Sequence, residues 1–276
     1  MPEYIGPYAF ILLRVSVTVI LFWFSWFLGT KFQTRIEKKD YRRLILCGVF
    51  GVALNQLTFF KGLSMTTPIN ASLVMLTTPI LVGILATITL KEKLSSRKII
   101  GLLLGVSGAA LLISMGTATQ FAPDPLLGNC FIFINATSYA IYLILIKPIM
   151  EKYPPVIVIR WVFFFGAIMV FPFGLPGLLE TDFASFQTKQ WTVVLYVILG
   201  MTFLTYLWNI FALKILSPTV VGTYIYMQPF LAAIIAIIFY KEGLEWYKIL
   251  AGLLIFSGVF LVSYQKRITT ISSRQP

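Results

Sequence analysis

The chain has 276 residues, 58% of them hydrophobic and 12% charged, with a mean hydropathy of +0.88 and no histidine. A soluble enzyme is excluded, because helices in water need polar faces that these segments lack, and irregular backbone cannot face lipid, so the chain reads as an all-α polytopic membrane protein. The formal net charge of +12 is no nucleic-acid signature, since the basic residues sort by loop and do not gather on one face.

Apolar segments follow one another at about 7–29, 43–63, 66–90, 97–116, 126–147, 155–175, 191–213, 217–240 and 246–265. Each approaches the ~20 residues that cross a ~30 Å hydrocarbon core, which predicts nine transmembrane helices. If the 30–42 loop is cytoplasmic, sixteen Lys and Arg residues lie on that side, among them Arg35 to Arg43, Lys91 to Lys98, Lys147, Lys152 and Lys214. The other side receives Lys61, Lys189, Lys241 and Lys248, and the C-terminus, with Lys266, Arg267 and Arg274, is cytoplasmic.

The sequence repeats with an offset of 150. Between 63 and 111 there are 17 identities in 49 positions without a gap, including Pro68/Pro218, Pro79/Pro229, Lys91-Glu92/Lys241-Glu242 and Ser107-Gly108/Ser257-Gly258. The two Lys-Glu turns fall on opposite sides of the membrane, so the repeat is inverted. In the second half a full span precedes Pro154-Pro155 and the Arg160 helix; in the first, Met1 stands directly before Pro7 and the Arg14 helix. The expected architecture is therefore two inverted five-helix repeats, 5+5. Residues 1–116 form the first, four helices present and its first helix missing; 126–265 form the second, and 266–276 a cytoplasmic tail. The alternative is a genuine nine-span protein.

The residues that carry a family resemblance are Pro7…Arg14 and Pro155…Arg160, followed by FFKGLSMTTPINASLVMLTTPILVGILATITLKEKL and FALKILSPTVVGTYIYMQPFLAAIIAIIFYKEGL. The chain resembles EamA-type members of the drug/metabolite transporter superfamily over nearly its whole length. The resemblance implies ten helices in two inverted repeats, cytoplasmic termini, a central cavity open to one side at a time, and export of metabolites or amino acids. The departure is the absent first helix, whose functional residues cannot be read.

Arg14 and Arg160 cost about 2.5 to 3.5 kcal/mol each at the centre of a membrane helix, which makes intramembrane Arg a functional-site hypothesis. Their recurrence favours a structural clamp over an anionic-substrate ligand. No Asp or Glu lies well inside a span to pair with them. Pro68, Pro79, Pro218 and Pro229 recur at matching places, where a freed carbonyl permits a kink usable in gating. The polar and aromatic residues on helices that line the cavity in the resembled family give the candidate substrate site: Asn55, Asn70, Asn135, Tyr139, Trp208, Asn209, Tyr224 and Gln228. Singly, each such residue serves more often to join helices.

No phosphate loop, metal-ligand or catalytic motif is present, so no cofactor, metal or enzymatic activity is expected. The glycines at 101, 105, 108, 252 and 258 permit close helix contact, within the monomer in preference to a homodimer. The expected function is a secondary transporter, an inner-membrane exporter of small metabolites or amino acids working by alternating access. A non-transporting scaffold that kept the fold is the competing reading. The expected partners are a small-molecule substrate and the lipid bilayer, without nucleic acid.

Overall fold

A computed structural model describes residues 4–24, 35–93, 95–115, 123–240 and 246–263. Lys31, Leu94, the Lys241-Glu242 turn with Leu244, and the tail with Lys266, Arg267 and Arg274 lie outside them. The described residues form nine helical rods. These are α1 (Pro7–Phe24), α2 (Lys38–Leu63), α3 (Pro68–Met75 continued by Thr78–Leu90), α4 (Ser96–Ser114), α5 (Pro125–Lys152), α6 (Pro155–Leu179), α7 (Thr188–Ile215), α8 (Pro218–Thr223, then Met227–Tyr240) and α9 (Trp246–Ser263). α1, α2, α5, α6, α7 and the Asn70–Leu90 stretch of α3 are long and apolar enough to cross a membrane, which makes this a multi-pass membrane protein.

Several rods are longer than the apolar segments that mark them. α2 begins at Lys38, not 43, and α5 runs to Lys152, not 147. Apolarity marks the hydrocarbon, whereas a helix continues into the interface as far as its caps allow. The caps are local. Asp124 accepts from Leu127 N at 3.1 Å before Pro125 opens α5, and the Tyr153-Pro154-Pro155 turn ends it.

The 150-residue offset reappears in the backbone. Thr67 and Ser217 cap α3 and α8, their hydroxyls accepting from Asn70 N at 3.2 Å and Val220 N at 3.4 Å. Both helices break farther on, at Leu76-Thr77 in α3 and in a 3-10 turn at Tyr224–Tyr226 in α8. α2 contains a π-helical segment at Val49–Ala53 and α7 one at Val197–Leu204, again about 150 residues apart. The four prolines divide by position. Pro68 and Pro218 do not kink a helix as expected; each occupies the first turn, where its missing N–H is unneeded. Pro79 and Pro229 stand just after the breaks, where proline ends the preceding ladder.

α5 sits at the centre, with Ile132, Ala136, Ala140, Leu143, Ile146 and Ile149 fully buried. α2 and α3 pack along it, and α1 and α2 pack against α6. α7 turns Leu195, Tyr196, Trp208 and Ile215 outward, as a lipid-facing helix does. α4 and α9 form the closest pair, and glycine makes their approach possible. A Cβ on Gly258 would lie 2.6 Å from Gly101 O and 2.7 Å from Gly105 N, and one on Gly108 would lie 2.8 Å from Ala251 O. The small-residue faces of the sequence therefore meet within the chain.

Because these obstacles are backbone atoms, which cannot swing aside, Gly258→Leu is expected to destabilise by about 1 to 3 kcal/mol. Gly6→Ala, with nothing within 4 Å of the added atom, serves as the neutral control. Thermal unfolding in detergent distinguishes the two, and an unchanged midpoint for Gly258→Leu contradicts the packing described.

Candidate functional site

The breaks and π segments surround a cavity of about 500 Å³ in the middle of the bundle, a size suited to a small molecule. Six rods contribute to it: Phe10 and Arg14 from α1, Asn55, Gln56, Phe59 and Phe60 from α2, Met75 and Thr78 from α3, Asn135 and Tyr139 from α5, Val197, Met201, Thr202, Thr205, Tyr206 and Asn209 from α7, Ile225 and Gln228 from α8. No Asp or Glu lies in this lining, and Arg14 is its one formal charge among the described residues.

A hydrogen-bonded chain runs across the site. Arg14 donates to Gln56 Oε1 from Nε at 3.1 Å and from Nη2 at 2.5 Å, with its guanidinium carbon 5.0 Å from the Phe60 ring centre. Gln56 Nε2 donates to Tyr206 OH at 3.4 Å, and Tyr206 donates to Gly51 O at 3.2 Å. Phe50 O, the neighbouring carbonyl of the same π segment, accepts from Ser138 of α5 at 2.7 Å. In α7 the hydroxyls of Thr202 and Thr205 turn back to carbonyls five residues earlier, Val197 O at 2.9 Å and Gly200 O at 3.0 Å. A widened turn is thus satisfied from both within and across helices.

The asparagines both join helices and face the cavity. Asn135 Nδ2 donates to Asn55 O at 2.7 Å and Asn55 Nδ2 returns a bond to Asn135 O at 3.4 Å, tying α5 to α2. Asn209 Nδ2 donates to Tyr139 OH at 2.9 Å, tying α7 to α5. Asn135 Oδ1, Asn209 Oδ1 and Thr78 Oγ1 remain buried without a partner. All three residues line the cavity.

Of the candidates read from sequence, Asn55, Asn135, Tyr139, Asn209 and Gln228 meet at this cavity together with Arg14. Trp208 and Tyr224 do not: they are 67% and 49% exposed on the outer surface of the bundle. Asn70 stands in the capped first turn of α3, outside the lining. Arg160 is also elsewhere, its guanidinium carbon 4.6 Å from the Trp23 ring centre in an aromatic group with Trp161 and Phe164. Gln56, Thr202 and Tyr206 were not among the candidates. The repeat aligns Gln56 with Tyr206, and that alignment was the available signal for both.

One end of the bundle, where Lys and Arg concentrate, is closed by side chains that bind across helices. Glu92, at the end of α3, accepts from Lys98 Nζ, from Ser217 Oγ at 2.9 Å and from Thr219 Oγ1 at 3.0 Å, fastening α3 to the start of α8. Lys147 of α5 donates to Leu213 O and Leu216 O at 2.8 and 3.0 Å, and Lys214 of α7 donates back to Met150 O. Asp40 of α2 accepts from Lys152 Nζ at 3.1 Å and from Tyr153 OH at 2.8 Å. α2, α3, α5, α7 and α8 are therefore fastened at this basic face. Lysines at helix C-termini also complement the dipole there.

The EamA-like transporter family matches the chain over residues 1–114 and 126–264. The uncharacterized transporter YetK of Bacillus subtilis is 28% identical, over 87% of this chain and 71% of that protein. An uncharacterized transporter of Archaeoglobus fulgidus is 24% identical, over 92% of this chain and 86% of its own length. WAT1-related protein At4g30420 of Arabidopsis thaliana is 23% identical, over 95% and 78%. A solved crystal structure superposes with a TM-score of 0.75 at 18% identity, covering 94% of this chain and 88% of that one, and speaks for the fold.

Gln56→Leu removes the acceptor of Arg14 and the donor to Tyr206 together. It is expected to destabilise by about 2 kcal/mol, as the loss of a partner to a charged group does, whereas Trp208→Ala, on the outer surface, stays within about 0.5 kcal/mol. Thermal unfolding in detergent ranks the pair, and the reverse order contradicts the placement of both residues.

Proposed function

This chain belongs to the EamA-like transporter family of the drug/metabolite transporter superfamily, a multi-pass membrane transporter and not an enzyme, and on that premise we propose a secondary carrier that exports small metabolites or amino acids across the inner cell membrane by alternating access. The observation that carries the reading is the central cavity, drawn from both halves of the sequence and lying over a fastened basic face. A scaffold that kept the fold and lost the pathway has no need of such a space.

In this reading the architecture is two inverted five-helix repeats, and the positive-inside bias makes the basic face, with the C-terminus, cytoplasmic. Two halves of similar but unequal energy exchange conformations, and the cavity changes the side it faces. The breaks in α3 and α8 are the flexible points and, with Pro79 and Pro229 behind them, hold the gating role; Glu92 is the latch that must release. Asn55, Asn135, Tyr139, Asn209 and Gln228 contact the substrate.

The test is efflux of a labelled panel of amino acids and small metabolites from proteoliposomes holding the full chain, with and without a pH gradient. Saturable efflux is expected, falling at least about tenfold for Asn209→Ala, the loss of roughly one good hydrogen bond, and changing little for Trp208→Ala. A folded protein silent across the panel moves the weight to the scaffold.

A further inference from the structure

Arg14 holds a charge inside the bundle for which the described structure supplies no anion. Its one side-chain acceptor is neutral, the amide oxygen of Gln56, and that single atom takes bonds from both Nε and Nη2. The ion pairs among the described residues are Lys39–Glu37, Lys98–Glu92 and Lys152–Asp40, and none reaches the cavity. A guanidinium within a membrane helix is tolerated where it meets a partner or water in a cavity. Gln56 engages two of its nitrogens, Nε and Nη2, and Arg14 is part of the cavity lining.

The repeat makes the point sharper. Arg160 occupies the equivalent helix and lies over the ring of Trp23, away from the cavity, in an arrangement suited to an interfacial clamp. Arg14 also lies over a ring, that of Phe60, but in the lining of the cavity. Arg160 Nε is itself buried without a partner, so what separates the two is place: Arg14 alone of them lines the cavity.

The rest of the lining presents the complementary deficit. Asn135 Oδ1, Asn209 Oδ1 and Thr78 Oγ1 are buried oxygens without partners, and the two amide oxygens can only accept. A solute that satisfies this wall needs an N–H or O–H donor. One that satisfies Arg14 needs a planar anionic acceptor.

Resting on the carrier reading above, we propose that Arg14 is a carboxylate-binding residue of the cavity, and that the transported solute carries a carboxylate together with an ammonium or hydroxyl donor. A carboxylate fits better than a phosphate. A single guanidinium balances one negative charge and offers a two-pronged contact to a planar group, whereas phosphate dianions gather several cations. An ammonium at the other end of the solute would lie on the side of the lining that Asn135 and Asn209 form, where the unpartnered amide oxygens stand just behind the surface, so that a zwitterion suits a site with no acidic side chain in the lining.

The test measures binding to the purified full chain by calorimetry and thermal shift. The probes are the L-amino acids and a set of 2-hydroxy acids, each beside its own carboxamide, with uncharged and cationic metabolites alongside. At least one acid is expected to bind, with its amide at least about tenfold weaker, the difference a charge-assisted contact supplies. Arg14→Gln should abolish that preference and Arg14→Lys should keep part of it, with the ligand-free melting temperature of each variant reporting folding separately. If Arg14→Gln does not fold, the acid preference of the wild type and its reduction in Arg14→Lys decide the matter. An amide bound as tightly as its acid, or an acid preference that survives Arg14→Gln, overturns the proposal. Binding confined to solutes without a carboxylate overturns it while leaving the carrier reading in place; no binding by any class overturns both.

Discussion

Hydrocarbon offers no hydrogen bonds, so each departure from a regular α-helix in this chain must be answered by another group of the protein. Among the described residues, the π segments and the two helix breaks include or adjoin residues that line or bond to the cavity. The π segment of α2 turns Phe50 O and Gly51 O toward donors on α5 and α7, and that of α7 is answered by its own threonine hydroxyls. The breaks in α3 and α8 stand beside the lining residues Thr78 and Gln228. Where the rods remain regular, the surface they present is apolar and can face lipid. The space for a solute exists where the helices give up regularity, and the same cross-helix bonds that permit the irregularity position the side chains around it.

Much of this could be read from the residues alone. Composition sets the solvent, the charge bias sets the two faces, and the offset of 150 relates the two capped starts and the two proline-adjacent breaks. The π segments have no residue signature and were invisible. So was the distinction between Trp208 and its neighbour: one step around a helix is about 100°, which sends Trp208 outward and Asn209 inward. In a soluble helix an apolar stripe reveals the buried face. Here all faces are apolar, so periodicity cannot say which polar residue turns in. Asn70 failed for another reason, since a helix start lies near the interface even when its side chain is polar.

The two intramembrane arginines show how far duplication carries information. Both lie within about two turns of a helix-opening proline; that does not ensure the same neighbours. Arg160 acquired Trp23 and the rings around it, while Arg14 acquired Gln56 and an open space. The aligned pair Gln56 and Tyr206 behaves in the opposite way. Unlike in chemistry, the two side chains meet in one hydrogen bond across the bundle. A repeat therefore predicts where chemistry will be placed better than it predicts what the chemistry is.

The contact between α4 and α9 carries a different kind of record. Gly108 approaches Ala251 O, and moving both residues by the repeat offset gives Gly258 approaching Gly101 O, which is the other contact observed. The surface is self-complementary: each helix offers the feature that its twin requires, in the manner of an interface between identical subunits. Such a seam needs no separately evolved partner, because one set of small residues supplies both sides. The halves can drift apart elsewhere, as the arginines have, provided that this shared seam stays matched. The fit of α4 to its own repeat on α9 is thus a constraint that both stretches share.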